Sequence, residues 1–321
     1  MLVFLIKRVG NAVLVMLAVA FLAFMVFRFL GDPVEMMMNE SATQLERDEL
    51  RERLGLNASF AEQYALFVTR AVQGDFGISW RNQQEVIGLI GERFPATFEL
   101  VLIATIISLV VGIPLGVLTA IGRGRWWAES LQTVSIVGVS LPSFIVGILL
   151  ILVFSVSLGW LPGYGRGETV ALGWWTTGFL TPSGRAALVL PAVSLSLFQI
   201  TLVMRLVRAE MLEILRADFI RFARARGVPA RALHFRHALK NCLMPVITMT
   251  AMQVGNLIAF ALVTETVFQW PGMGMLFMQA ITFVDIPVMA AYLCIVSFIF
   301  VALNTVVDLA YALIDPRLRA A

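Results

Sequence analysis

The chain has 321 residues, 59% of them hydrophobic and 14% charged, with 24 Lys and Arg against 21 Asp and Glu for a formal net charge of +3. A soluble domain carries roughly a quarter of its residues as charges, and at a mean hydropathy of +0.86 this chain has more apolar surface than a soluble core can bury. Its two cysteines, Cys242 and Cys294, both fall in apolar segments, which excludes a disulfide framework and a multi-cysteine metal site.

Lys7 and Arg8 precede an apolar run from Val9 to about Phe27 that lacks a small-residue cleavage pattern, so it reads as a retained first span and not as a signal peptide. Further apolar runs place spans near 98–121, 131–158, 186–206, 243–264 and 287–313 after the first at 9–30. The expectation is an all-α integral membrane protein with six spanning helices and both termini on one side. Lys7, Arg8, Arg123, Arg125, Arg205, Arg208, the basic residues of 216–240, Arg317 and Arg319 all fall on that side. The opposite short loops hold only Arg166 and Arg185. Lys and Arg are retained on the cytoplasmic side of short loops, so that side is read as cytoplasmic.

The segment from Asp32 to Pro95 carries eleven acids against six arginines, and a segment of this length crosses regardless of charge. Ser41 to Gln44 and Ser59 to Glu62 have capping-box spacing, so two short surface helices are expected there. In the second, Phe60, Tyr64, Phe67, Val68 and Ala71 share one face and Gly74 can end it. The organisation expected is a first span at 1–30, a small helical periplasmic insertion at 31–96, a five-helix core at 97–313 and a cytoplasmic end at 314–321. Pro114, Pro142, Pro191 and Pro245 interrupt or begin spans, with Gly112, Gly116, Gly138 and Gly147 nearby. Together they point to kinks, close helix packing and a bundle that moves.

The loop at 207–241 is ordered beyond what topology needs. Nine Lys and Arg residues run from Arg205 through Lys240, against Glu210, Glu213 and Asp218. Asp218 can cap a helix from Phe219 to Arg226, Gly227 can end it in a left-handed conformation, and Pro229 suits the first turn of another. Phe219, Phe222 and Ala223 take one side of that helix, and Arg221 and Arg224 another. Spacing alone leaves open whether such a helix lies in lipid headgroups or docks into a partner protein.

Several stretches, in order, carry a resemblance: GDP at Gly31 to Pro33, GDFGIS at Gly74 to Ser79, FPATFEL at Phe94 to Leu100 and LGWLP at Leu158 to Pro162. After them come DFIRFARARG at Asp218 to Gly227, FRHALKN at Phe235 to Asn241, TETVFQWPGMG at Thr264 to Gly274 and DPR at Asp315 to Arg317. With these, nearly the whole chain resembles the permease subunits of ATP-binding-cassette (ABC) importers, in the dipeptide, oligopeptide, nickel and glutathione branch. The resemblance implies the type I ABC importer permease fold in a bacterial inner membrane. It also implies that Asp218, Phe219, Ile220, Arg221, Phe222, Ala223, Arg224, Ala225, Arg226 and Gly227 form a coupling helix and turn seated in a cytoplasmic ATPase. The triplet reads Arg221-Phe222-Ala223, where the general importer pattern has Glu-Ala-Ala. The implied partners are a second homologous permease, two ABC ATPase subunits carrying ATP and Mg, a periplasmic solute-binding protein and membrane lipid, with no nucleic acid.

Other candidates carry less. His234 and His237 lack further ligands for a metal. Glu99, Glu265 and Asp308 lie near span ends and are read as mostly interfacial. Glu265, with Trp270, Pro271 and Gly272, is the candidate for the pathway or a periplasmic gate. Fifteen methionines are fillers of apolar helices. The sequence shows no catalytic constellation, phosphate loop or zinc motif, so the expectation is a non-enzymatic subunit with no cofactor or metal of its own. The rival is a stand-alone secondary transporter driven by an ion gradient, which needs mid-membrane acidic or histidine relays and inverted repeats.

Overall fold

The computed structural model describes residues 2–29, 34, 43–53 and 56–314. Ser41, the GDP stretch at 31–33 and the DPR stretch at 315–317 lie outside the described residues. Five helices among the described residues are long and apolar enough to cross a membrane: Arg8–Val26, Val86–Ile121, Pro182–Ile214, Ala230–Val267 and Ile286–Val307. They agree with five of the six expected spans. The third, expected over 131–158, is not one helix. It runs as Trp126–Ser140, breaks at Leu141 and Pro142, and resumes as Ser143–Leu150 with a π-helical continuation Ile151–Ser157. The cause is local: Pro142 has no amide hydrogen to donate, and a proline drives the preceding residue out of helical space. Leu141 accordingly sits at φ −85°, ψ 129°.

The chain divides into two compact units. The first comprises residues 1–95 and 272–321. Here α1 (Leu2–Phe29) packs against the long terminal helix Ile286–Ile314 around the small side chains of Ala23, Ala290 and Cys294. Two short helices follow α1 in sequence, α2 (Gln44–Arg53) and α3 (Phe60–Val72). The capping box at Ser59 and Glu62 forms as the spacing predicts. In α2 the box is closed by Thr43 and Glu46, whose backbone and side chain bonds are reciprocal. Phe60, Tyr64 and Phe67 of α3 ring Phe24 of α1 at centroid distances of 5.3, 5.7 and 6.0 Å. The Tyr64 hydroxyl donates to the Leu17 carbonyl at 2.8 Å. The apolar face read from the sequence thus covers α1.

The second unit, residues 96–271, contains most of α4 (Val86–Ile121), α5 (Trp126–Ser140) and α6 (Ser143–Leu150). A hairpin of β1 (Val170–Leu172) and β2 (Trp175–Thr177) follows, paired from Val170↔Thr177 to Leu172↔Trp175. Next come α7 (Pro182–Ile214), α8 (Asp218–Ala225), α9 (Ala230–Ala232), a π-helical turn Leu233–Ala238 and α10 (Leu239–Val267). α4 and α7 approach closely because Gly112 and Gly116 face Val203 and Val207. A Cβ added at Gly116 would stand 2.5 Å from Val207 Cβ, so only glycine admits this crossing. In the first unit, α11 (Met273–Thr282) precedes α12 (Ile286–Ile314).

Candidate functional site

The short helix expected at 218–226 forms over Asp218–Ala225. Asp218 is not its cap. Ala217 holds the N-cap position with no side-chain bond, and Asp218 is the first helical residue, near the positive end of the helix dipole. Its carboxylate lies 3.4 Å from Arg221, an exposed pair of small energetic weight. Gly227 has φ +80°, as expected. The Gly227 amide reaches the Arg224 carbonyl and the Val228 amide the Ala223 carbonyl, the two bonds of a Schellman stop. Pro229 caps the next turn and does not lie within it.

The attachment of α8 is where sequence spacing misleads. Phe219 and Phe222, grouped with Ala223 on an apolar side, are 49% and 62% exposed, whereas Ile220 is fully buried. Ile220 belongs to a core built from Val117 of α4, Val207 and Met211 of α7, Leu233 and Cys242, with Ala223 and Val228 packed against it. One isoleucine therefore pins the helix to the long helices while two phenylalanines and the arginines face outward. Arg226 lies with its guanidinium 5.3 Å from the Phe222 ring centroid. The signal missed was the stretch Ile220, Ala223, Gly227, Val228. Its i, i+3 start followed by a Schellman contact marks the buried stripe better than the phenylalanines do.

At the other end of the same unit, Glu99, Glu265 and Trp270 are buried within the protein. Thr97 Oγ1 donates to Glu265 Oε1 at 2.6 Å, and Trp270 Nε1 donates to the Ala96 carbonyl at 3.0 Å. α10 ends in a second Schellman stop, with Gln269 at φ 49° and the Trp270 amide on the Glu265 carbonyl. Arg166, named from sequence only as a charge on the arginine-poor side, donates to Glu99 Oε2 at 2.7 Å and to the Thr176 carbonyl and hydroxyl. One guanidinium thus ties the hairpin to the start of the apolar part of α4. Pro271 is half-buried and Gly272 buried.

In the first unit, buried Asp285 precedes α12 and accepts from the Ser79 hydroxyl and from the amides of Trp80 and Arg81. The GDFGIS stretch is thereby fastened to the start of the last helix, with Arg81 stacked 3.5 Å from the centre of the Phe283 ring. An Asp two residues before a proline and an apolar run was a readable helix-start signal.

Comparison with known proteins gives three results. Residues 112–320 match the family described as binding-protein-dependent transport system inner membrane component, and residues 1–101 match its membrane component N-terminal family. The chain is 37% identical over 334 residues to a di/tripeptide transport system permease protein of Pseudomonas aeruginosa, covering 99% of each. It is 33% identical over 332 residues to a dipeptide transport system permease protein of Alkalihalophilus pseudofirmus, covering 99% of this chain and 100% of that one. It is also 33% identical over 320 residues to the glutathione transport system permease protein GsiC of Escherichia coli, covering 99% of each. Among solved structures, the MetNI methionine ABC transporter in an inward-facing conformation matches with a TM-score of 0.56 at 18% identity, over 71% of this chain and 96% of that one, a likeness of fold.

Proposed function

The chain belongs to the binding-protein-dependent transport system inner membrane component family, the permeases of ABC importers, and we propose that it forms half of the transmembrane pathway of an ATP-driven importer of di- or oligopeptides. Its partners in this assignment are a second homologous permease, two cytoplasmic ATPase subunits that carry ATP and Mg, and a periplasmic solute-binding protein. The chain crosses the inner membrane six times, the interrupted segment from Trp126 to Ser157 counting as the third crossing, with both termini cytoplasmic and residues 31–96 forming a periplasmic insertion.

Coupling runs through Asp218 to Gly227. The supporting observation is the attachment of α8: Ile220 is buried in the core of the long helices while Phe219 and Phe222 are exposed on the outer side. A helix held by one buried side chain and a rigid left-handed stop moves as a unit with α4, α7 and α10. An ATPase that takes the two phenylalanines into an apolar groove would therefore displace those helices when it closes on ATP. The chain supplies no chemistry of its own. We assign the external gate to Glu265, Trp270, Pro271 and Gly272, supported by the bonds that hold Glu265 to Thr97 and Trp270 to the Ala96 carbonyl.

The experiment is uptake of a labelled dipeptide into vesicles holding the complete complex. Uptake should require enclosed ATP and external binding protein. Uptake by this chain alone under a proton or sodium gradient would overturn the assignment.

A further inference from the structure

A groove of about 260 Å³ opens on the second unit between α4 and α7, lined by Ile103, Ile107, Phe179, Arg185, Leu188 and Val189. Pockets for drug-sized solutes run to roughly 300–1,000 Å³, so this groove has room for a chain segment and not for a whole polar solute. Five of its six lining residues are apolar, and four lie on the two helices Val86–Ile121 and Pro182–Ile214, both long and apolar enough to cross a membrane. The sixth, Arg185, is exposed and stands in the first turn of α7.

Exposed aromatic residues precede Arg185 in the chain. Trp160, Tyr164 and Trp174, on the loop and hairpin before α7, are 70%, 79% and 72% exposed. Tryptophan and tyrosine with one wet and one apolar side collect at the headgroup level of a bilayer. Arg185 follows that hairpin directly, and Leu188 and Val189 lie one helical turn deeper. The groove therefore has an apolar floor on α4 and α7, with the charged end of Arg185 at its edge in the first turn of α7. Among the described residues the Arg185 guanidinium donates to the Phe179 carbonyl at 3.4 Å, a single long bond for a group with five donors.

We propose that this groove is a binding site for an anionic phospholipid, with the phosphate on Arg185 and an acyl chain along Ile103, Ile107, Leu188 and Val189. Charge selects the headgroup, because a guanidinium fork matches phosphate oxygens and attracts a lipid of net negative charge over a zwitterionic one. The apolar floor selects a chain over a free phosphate. The site concerns the bilayer and not the transported solute, so it stands or falls independently of the assigned transport function.

The test is native mass spectrometry of the complete, detergent-purified complex after addition of phosphatidylglycerol or phosphatidylcholine, with inorganic phosphate as a third arm. The wild type should retain phosphatidylglycerol with a preference of about fivefold over phosphatidylcholine, the size of one basic residue's attraction to an anionic lipid. Arg185→Ala should lose the preference and Arg185→Lys should keep most of it. Val189→Trp, at an exposed position where bulk does not disturb the core, should lose retention of both lipids by filling the groove. Equal retention of the two lipids by wild type, or an unchanged preference in Arg185→Ala, overturns the headgroup assignment. Retention unaffected by Val189→Trp, no lipid retained because another subunit covers the groove, or phosphate alone binding as well as lipid each overturns the site.

Discussion

Arg166 and Glu99 meet at 2.7 Å between Nη2 and Oε2, with side chains only 7% and 1% exposed. Burial on this scale makes the pair worth little as an attraction and expensive to break from one side. Arg166→Met alone leaves Glu99 without its cation and should lower stability by about 3–5 kcal/mol. Adding Glu99→Leu should recover most of the loss. Thermal unfolding of the purified complex decides it, and a double variant as unstable as the single would show that the hairpin is held by other contacts.

Asp285 carries a comparable burden with backbone partners. Asp285→Ala removes the acceptor for the Ser79 hydroxyl and the Trp80 and Arg81 amides, each unsatisfied group costing about 1–3 kcal/mol. Hydrogen exchange should quicken at Trp80 and Arg81 while protection in α3 is unchanged. Unaltered exchange at 79–81 would mean that the loop is fixed without Asp285.

Much of this was legible in sequence. The apolar runs located five spans, the box Ser59 to Glu62 started α3, and Gly227 stopped α8 where a left-handed residue was expected. Pro142 was readable as an interruption of the third span, although hydropathy alone passes over it. Other features were hidden for physical reasons. Ile220 looks no more buried than Phe219, because what buries it is the distant core of α4, α7 and α10. Glu99 and Arg166 lie 67 residues apart, and no local pattern announces a pairing at that separation. The stops at Gln269 and Val284, at φ 49° and 54°, were likewise invisible, since neither residue type favours the left-handed region.

The capping box on α3 makes a pH prediction. The bond from the Ser59 amide, with that of its hydroxyl, holds the Glu62 carboxyl below the usual glutamate value. A carboxylate depressed in the folded state contributes stability that is present above its unfolded value, near pH 4.3, and lost as pH falls through the folded one. At pH 7 the amides at the start of α3 should therefore exchange more slowly in wild type than in Glu62→Ala. The difference, corrected for intrinsic exchange, should shrink below about pH 4. A difference that persists fully at pH 2 would contradict the assignment of the effect to the ionised box.

Anchor and contact surface on α8 should separate by substitution. Ile220→Ala empties a fully buried site and should destabilise the core by about 2–5 kcal/mol, loosening the helix from α4 and α7. Gly227→Val forces a β-branched residue into φ +80°, at about 1–2 kcal/mol or more. Phe222→Ala, at an exposed position, should leave thermal stability unchanged. All three should reduce transport-coupled ATP hydrolysis in the complete complex while the chain still inserts. Normal coupling in Phe222→Ala would remove the outer face of α8 from the proposed contact.

In the proposed complex the outer face of α8 bears on an ATPase, and a cross-link from position 222 reports that contact. Phe222→Cys places an accessible thiol on α8, while the native Cys242 and Cys294 are buried. After attachment of a short photoactivatable reagent to the thiol and illumination of the complete complex, the expected product is a covalent adduct of this chain with the ATPase subunit, identified by mass and altered in yield by ATP. Adducts to lipid alone, with the ATPase present in the complex and never joined to position 222, would contradict it.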